Sequence, residues 1–194
     1  MIGDRLKGKR IILASQSPRR QYLLRELHLS FEVMETNTEE VYPDGLAPDQ
    51  IARYLADLKA DSFDPELLED QTILITADTI VVLDGEILGK PRGYEEAVKM
   101  LQRLSGRKHD VITAVSLRSA SKRQLFHVQS SVYFKELTRE EIVYYIDNFQ
   151  PFDKAGGYGI QEWIGYVGIS KIEGSFFNVM GLPVKELYDE LIRF

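Results

Sequence analysis

The run Thr72-Ile-Leu-Ile-Thr-Ala-Asp-Thr-Ile-Val-Val-Leu83 carries a single charge, Asp78, among apolar and β-branched residues. Such a run predicts a buried strand over 72–76 that continues through Ala77-Asp78-Thr79 into 80–83. Asp84-Gly85 follows at once and has the composition of a two-residue hairpin turn. Carboxylates are rarely buried unless paired or bound to a metal. Asp78 is therefore a candidate metal ligand or general base, the alternative being an aspartate that closes a turn on Thr79 or nearby N–H groups.

A second constraint lies near the start of the chain. Ile11-Ile12-Leu13-Ala14 reads as a strand that enters Ser15-Gln16-Ser17-Pro18-Arg19-Arg20. Ser17 suits an N-cap and Pro18 the first helical position, where its missing N–H costs nothing. A helix over 18–28 is expected, with Leu23, Leu24 and Leu27 on its apolar side. Free N–H groups and two guanidinium groups in one first turn can bind phosphate, or the arginine pair can simply be solvated.

Further along, helices are expected over 48–60, over 94–104 (ended by Gly106), and from the capping box Thr138-Arg139-Glu140-Glu141 to about Phe149. Strands are expected near 31–34, over 110–118 and over 124–134. A hairpin around Glu173-Gly174 and a final helix from Pro183 complete the reading. Intermingled strands and helices of this kind give an α/β class with a mixed sheet.

Several side chains are candidates for chemistry. Lys90, in Leu88-Gly89-Lys90-Pro91, is held extended by the proline after it. Lys59 falls late in the second helix, where a cation also suits the helix dipole. Glu39 and Glu40 share a polar loop and read equally well as solvated surface charge. Asp153-Lys-Ala-Gly-Gly-Tyr-Gly-Ile-Gln161 places Gly156, Gly157 and Gly159 where backbone can approach a ligand. Gln161 can donate and accept together, which suits the edge of a base. A plain glycine-rich turn is the alternative.

Composition excludes several classes. With 194 residues and 44% hydrophobic content, the chain can bury a real core, as one domain or two small lobes. A net charge of −6 argues against non-specific nucleic-acid binding. The chain has no cysteine, so thiolate chemistry and disulfides are out. No apolar run reaches membrane-spanning length, and the first ten residues are too polar for a signal peptide, so the cytoplasm is expected. His28, His109 and His127 lie far apart without metal-ligand spacing and suit surface or packing roles. Neither a P-loop nor a dinucleotide fingerprint occurs, and a divalent ion would have to be held by carboxylates and phosphate oxygens.

Taken together, the Ser15–Arg20 segment, Ala77-Asp78-Thr79, Gly89-Lys90-Pro91, Leu104-Ser105-Gly106 and the Asp153–Gln161 segment resemble the Maf family. The likeness keeps the family's order and spacing over almost the whole chain, ending with Met180-Gly181-Leu182-Pro183. It implies an α/β fold with a mixed sheet, flanking helices and two lobes around a deep cleft, acting as one domain over 1–194. It implies a nucleoside triphosphate pyrophosphatase that clears non-standard nucleotides, in a family tied to septum formation and division arrest.

By position, Asp78 matches the catalytic proton acceptor and a ligand of Mg²⁺ or Mn²⁺, with Glu39 the second metal-binding carboxylate. Arg19, Arg20, Lys59 and Lys90 match basic residues around the triphosphate, and Ser15 a serine of the same loop. Arg19, Thr79 and Gln161 match the subgroup that prefers dTTP and UTP. In one place the chain departs from the resemblance: Glu162-Trp163 stand where the family has glycine after Gln161. The competing readings are a nucleotide-binding regulator of septum formation without turnover, and a purine-selective inosine/xanthosine triphosphate pyrophosphatase. The expected partner is the nucleotide alone, with no nucleic acid or membrane, and a homodimer is left open.

Overall fold

The computed structural model describes residues 2–36 and 38–194. The chain divides into two compact units, the first made of Met1–Asp78, Thr113–Val128 and Gly181–Phe194, the second of Thr79–Ile112 and Gln129–Met180.

The first unit begins with a short helix, α1 (Ile2–Arg5), then β1 (Arg10–Ala14), α2 (Pro18–Arg25), β2 (Glu32–Met34) and α3 (Pro48–Asp61). β1 pairs in parallel with β2, Leu13 opposite Val33, and also with β3 (Thr72–Leu83), Ile12 opposite Leu74. β3 is one unbroken strand of 12 residues, so Asp78 lies within a strand and does not close a turn. Helix α2 stops three residues short of expectation. The N–H of His28 bonds the Arg25 carbonyl, and His28 itself takes a left-handed φ of 55°, which ends the helix.

Helix α3 buries Ile51, Ala52, Leu55, Ala56 and Ala60, spaced three and four apart as a helical face requires. That face meets Ile12, Ala14 and Leu74 of the strands, with Phe63 closing the cluster. Full burial of each large aliphatic side chain contributes about 1.5–3 kcal/mol. The chain's last helix, α8 (Val184–Arg193), buries Leu187 and Leu191 and packs against α1.

In the second unit the end of β3 turns at Asp84-Gly85, both at positive φ, into β4 (Glu86–Leu88), with Leu83 opposite Glu86. This is the expected hairpin. Helix α4 (Tyr94–Leu104) packs against α5 (Arg139–Phe149), and α5 carries the complete Thr138–Glu141 capping box. β5 (Lys108–Arg118) and β6 (Arg123–Phe134) each belong partly to both units, and β6 pairs antiparallel with β7 (Ile169–Glu173). Two short helices, α6 (Trp163–Gly168) and α7 (Phe176–Met180), flank β7 and had no clear sequence signal.

The hairpin expected at Glu173-Gly174 is not formed. After Gly174 the chain enters α7 because the Ser130 hydroxyl accepts from the Ser175 N–H (3.0 Å) and the Asn178 side-chain amide (3.0 Å). A Cβ on Gly174 would meet that hydroxyl oxygen at 2.7 Å. Among the described residues the strands follow the order β2-β1-β3-β5-β6-β7, with β4 on β3. The mixed seven-stranded sheet with flanking helices matches the expected class.

Candidate active site

The alternation of β3 sets up the site. Thr76 and Asp78 are two residues apart and project from the same face of the strand. The Thr76 hydroxyl donates to the Ala56 carbonyl of α3 at 2.6 Å. Lys59 lies three residues further along α3, about one helical turn, so its ammonium reaches Asp78 Oδ1 at 2.5 Å. Asp78 is 6% exposed, and the ion pair is what makes burial of its charge tolerable. Lys59 also meets Glu40 Oε1 at 2.8 Å. Two carboxylates thus share one ammonium, and a helix C-terminus that favours cations carries it.

The β1–α2 turn reaches the same stretch of β3. Ser17 caps α2, accepting from the Arg20 N–H at 3.5 Å, with Pro18 opening the helix as expected. The Arg20 guanidinium donates to the Ala77 carbonyl (2.8 Å), the Gly181 carbonyl (2.9 Å) and the Ser15 hydroxyl (3.4 Å). Desolvation pulls its pKa below the ordinary arginine value. Asp78 pushes it back up, Arg19 lowers it further, and Glu40 raises it. The guanidinium ties the α2 start to the residue before Asp78 while keeping its positive charge.

Of the expected site residues, the first unit therefore brings Ser15, Arg20, Lys59 and Asp78 into one connected array, with half-buried Arg19 beside Arg20. Glu39 is exposed in its loop, and its neighbour Glu40 is the residue that reaches Lys59. Periodicity carries no information in a loop, and Glu39 was singled out by the resemblance alone. Another buried carboxylate, Asp57, was also missed. It is held by Arg118 at 2.9 Å, by Arg123 and by the Ser116 hydroxyl at 3.2 Å, an arrangement that saturates it as a strut.

Thr79, Lys90 and Gln161 belong to the second unit. Thr79 follows Asp78 on β3 and is half-buried. Lys90 is exposed, and the Gly89 carbonyl before it accepts from the Gly156 N–H at 3.0 Å, joining the lysine loop to the glycine-rich one. Gly156 has φ 72°, and a Cβ there would meet Val81 at 3.0 Å, so only glycine fits this contact. Gln161 lines a groove of about 310 Å³ with Tyr166, Lys171 and Phe176, and its Oε1 is buried without a hydrogen-bond partner among the described residues. An unsatisfied buried acceptor is a place where a ligand N–H can bind.

His109 is the one strongly perturbed histidine. Its Nε2 lies 2.7 Å from the Tyr158 hydroxyl, and its ring packs against Phe134 and Tyr158 with centroids 5.4 Å away. Burial pushes its pKa down to about 4, against a small opposing pull from Asp110. The group is neutral at pH 7 and serves packing, as its spacing implied. Its contribution to stability is complete above the ordinary pKa of about 6.5 and is lost as pH falls toward about 4. Between pH 7 and pH 5 this histidine should remove about 2 kcal/mol of stability. His109→Gln should flatten that part of the pH dependence in urea unfolding, and an unchanged slope would disprove the assignment.

Among the described residues no three or more His, Asp or Glu side chains cluster as a self-sufficient metal cage. Asp78 and Glu40, two carboxylates on one ammonium, fit the requirement of Mg²⁺ for one or two carboxylates completed by phosphate oxygens. No helix among the described residues is long and apolar enough to cross a membrane.

The family model described as Maf-like protein matches residues 10–194. A Porphyromonas gingivalis protein named dTTP/UTP pyrophosphatase is 50% identical over 193 residues, covering 98% of this chain and 97% of its own. Proteins of the same name from Christiangramia forsetii (49% identical, covering 98% of this chain and 97% of the relative) and Parabacteroides distasonis (50%, covering 98% and 99%) are similar throughout. The solved structure of the Staphylococcus aureus Ham1 protein overlaps 65% of this chain and 72% of its own at 18% identity, with a TM-score of 0.47.

Proposed function

The chain belongs to the Maf family, and from that premise we propose that it is a nucleoside triphosphate pyrophosphatase that hydrolyses dTTP and UTP to the monophosphate and pyrophosphate. The observation that carries this reading is a buried carboxylate, Asp78, held at 2.5 Å by Lys59 and joined through Arg20 to a capped helix start. The family model spans both units, which supports reading 10–194 as one catalytic domain. The relatives carry an enzyme's name over nearly their full length, which disfavours a binding-only regulator.

In this reaction a water oxygen attacks the α-phosphorus and the bond to the α–β bridging oxygen breaks. Pyrophosphate leaves, and the water proton passes to a base. In this reading Asp78 is the carboxylate that accepts that proton, with Lys59 fixing its position and balancing its charge. Asp78 and Glu40, with Glu39 adjacent in the loop, are the side chains that would hold Mg²⁺ or Mn²⁺, which when bound neutralises phosphate charge. Positive charge on the developing pyrophosphate comes from the α2 start, Arg19, Arg20 and Lys90. The unpaired Oε1 of Gln161 suits the N3–H of uracil or thymine, and a purine such as GTP would present different edges.

The test is the product. With UTP and Mg²⁺ or Mn²⁺, chromatography should show UMP and pyrophosphate, whereas UDP and orthophosphate would mean that another bond is cut. In a nucleotide panel dTTP and UTP should lead ATP and GTP. A clear preference for 7-methyl-GTP or inosine triphosphate would overturn the pyrimidine assignment.

A further inference from the structure

The residue that departs from the Maf resemblance turns out to hold the loop it sits on. Glu162 accepts the hydroxyl proton of Tyr145 at Oε2 and meets the Lys154 ammonium at Oε1, 3.0 Å away. The same Tyr145 hydroxyl accepts from the Gly159 N–H at 2.9 Å. Lys154 is also bonded to Asp153 at 2.7 Å. Tyr145 is fully buried, and the side chains of Lys154 and Glu162 are only 9% and 20% exposed. Burial first and Glu162 second hold the phenol far above its ordinary pKa, so it remains a proton donor.

These contacts meet around one turn. The Glu162 N–H bonds the Gly159 carbonyl at 3.0 Å, which makes Ile160 and Gln161 the two central residues of a four-residue turn. Tyr145 holds both ends of that turn, through the Gly159 N–H and the Glu162 carboxylate. A Cβ on Gly159 would lie 2.7 Å from the Glu162 carboxyl carbon, so the carboxylate packs directly on the glycine backbone. The hydroxyl itself is carried by α5, whose capped start and Tyr145–Phe149 ring stack (5.2 Å) anchor it. A segment with glycines at 156, 157 and 159 has much backbone freedom to lose, and a clamp of this kind removes it.

We propose that Tyr145, Glu162 and Lys154 clamp loop 154–162 and thereby fix the position from which Gln161 reads the nucleobase, making Glu162 a positioning residue for substrate selection. The proposal rests on the pyrophosphatase reading above. Gln161 stands on that turn, and its Oε1 has no hydrogen-bond partner among the described residues. Glycine at 162, which the resembled family has there, would supply no carboxylate to Tyr145 or Lys154.

Three variants, Glu162→Gly, Glu162→Gln and Tyr145→Phe, are compared by amide hydrogen exchange and by kinetics with UTP and GTP. In Glu162→Gly and Tyr145→Phe, exchange at Gly159 should rise about 10-fold or more while the amides of α5 are unchanged. KM for UTP should rise about 10-fold with kcat within about 3-fold, and the UTP-over-GTP preference should fall with it. Glu162→Gln, which still accepts the Tyr145 proton, should keep most of both. Unchanged exchange at Gly159, or raised exchange with a wild-type UTP/GTP ratio, overturns the proposal. Wild-type protein inert toward both nucleotides overturns the pyrophosphatase reading and the nucleobase role together, while the exchange data still decide whether the clamp exists.

Discussion

Asp78→Asn should fold like the wild type and lose about 100-fold or more in turnover on UTP, the usual scale for removing a general base. The asparagine keeps the size and planar shape of the side chain, and its carbonyl oxygen can still accept from Lys59. What disappears is the negative charge that accepts a proton or holds a cation. Lys59 keeps a second partner in Glu40 at 2.8 Å, so no ammonium is stranded and thermal stability should change little. The measurement is kcat with UTP beside a melting curve. A folded Asp78→Asn protein with near wild-type turnover would remove Asp78 from the chemistry.

What could be read from the chain follows from how local each signal is. The Asp84-Gly85 turn, the α4 span ending before Gly106 and the Thr138–Glu141 capping box were legible because each is decided within a few residues of itself. Asp78 stood out as one charge in an apolar run, and the fold buries it to 6% exposure. Contacts between distant segments decided the rest. β7 pairs with β6, whose residues lie about 40 positions earlier, and Ser130 on that strand turns the chain after Gly174 into a helix. The choice of Glu40 over Glu39 as the partner of Lys59 depends on how a loop settles against α3. Asp57 looked like an ordinary helical aspartate, because Arg118 and Arg123 come from a strand pair far along the chain. The glycine-rich stretch was legible as a loop. Its clamp was not, since Tyr145 and Glu162 meet only in the folded unit.

Lys59→Met should be the variant that costs both stability and catalysis. Methionine replaces the aliphatic stem well, so the packing of the stem is kept and the ammonium alone is lost. Asp78 is then a nearly buried carboxylate without its cation, facing Glu40, which had been drawn to the same point. Removing one partner of a buried pair typically costs about 3–5 kcal/mol, and the 14% exposure of Lys59 and 44% exposure of Glu40 place this case at or below the lower end. A loss of about 3 kcal/mol corresponds to a melting temperature lower by about 6–12 °C for a chain of this size. Turnover should fall as well, because Asp78 is no longer held in place.

The double variant Lys59→Met/Asp78→Asn separates pairing from general damage. With both charges gone the uncompensated carboxylate disappears, and part of the lost stability should return, a coupling of about 1–3 kcal/mol in the double-mutant cycle. Activity should not return with it, since the base is absent. Strictly additive melting temperatures, or a Lys59→Met protein as stable and active as the wild type, would mean that the 2.5 Å contact contributes nothing to holding Asp78.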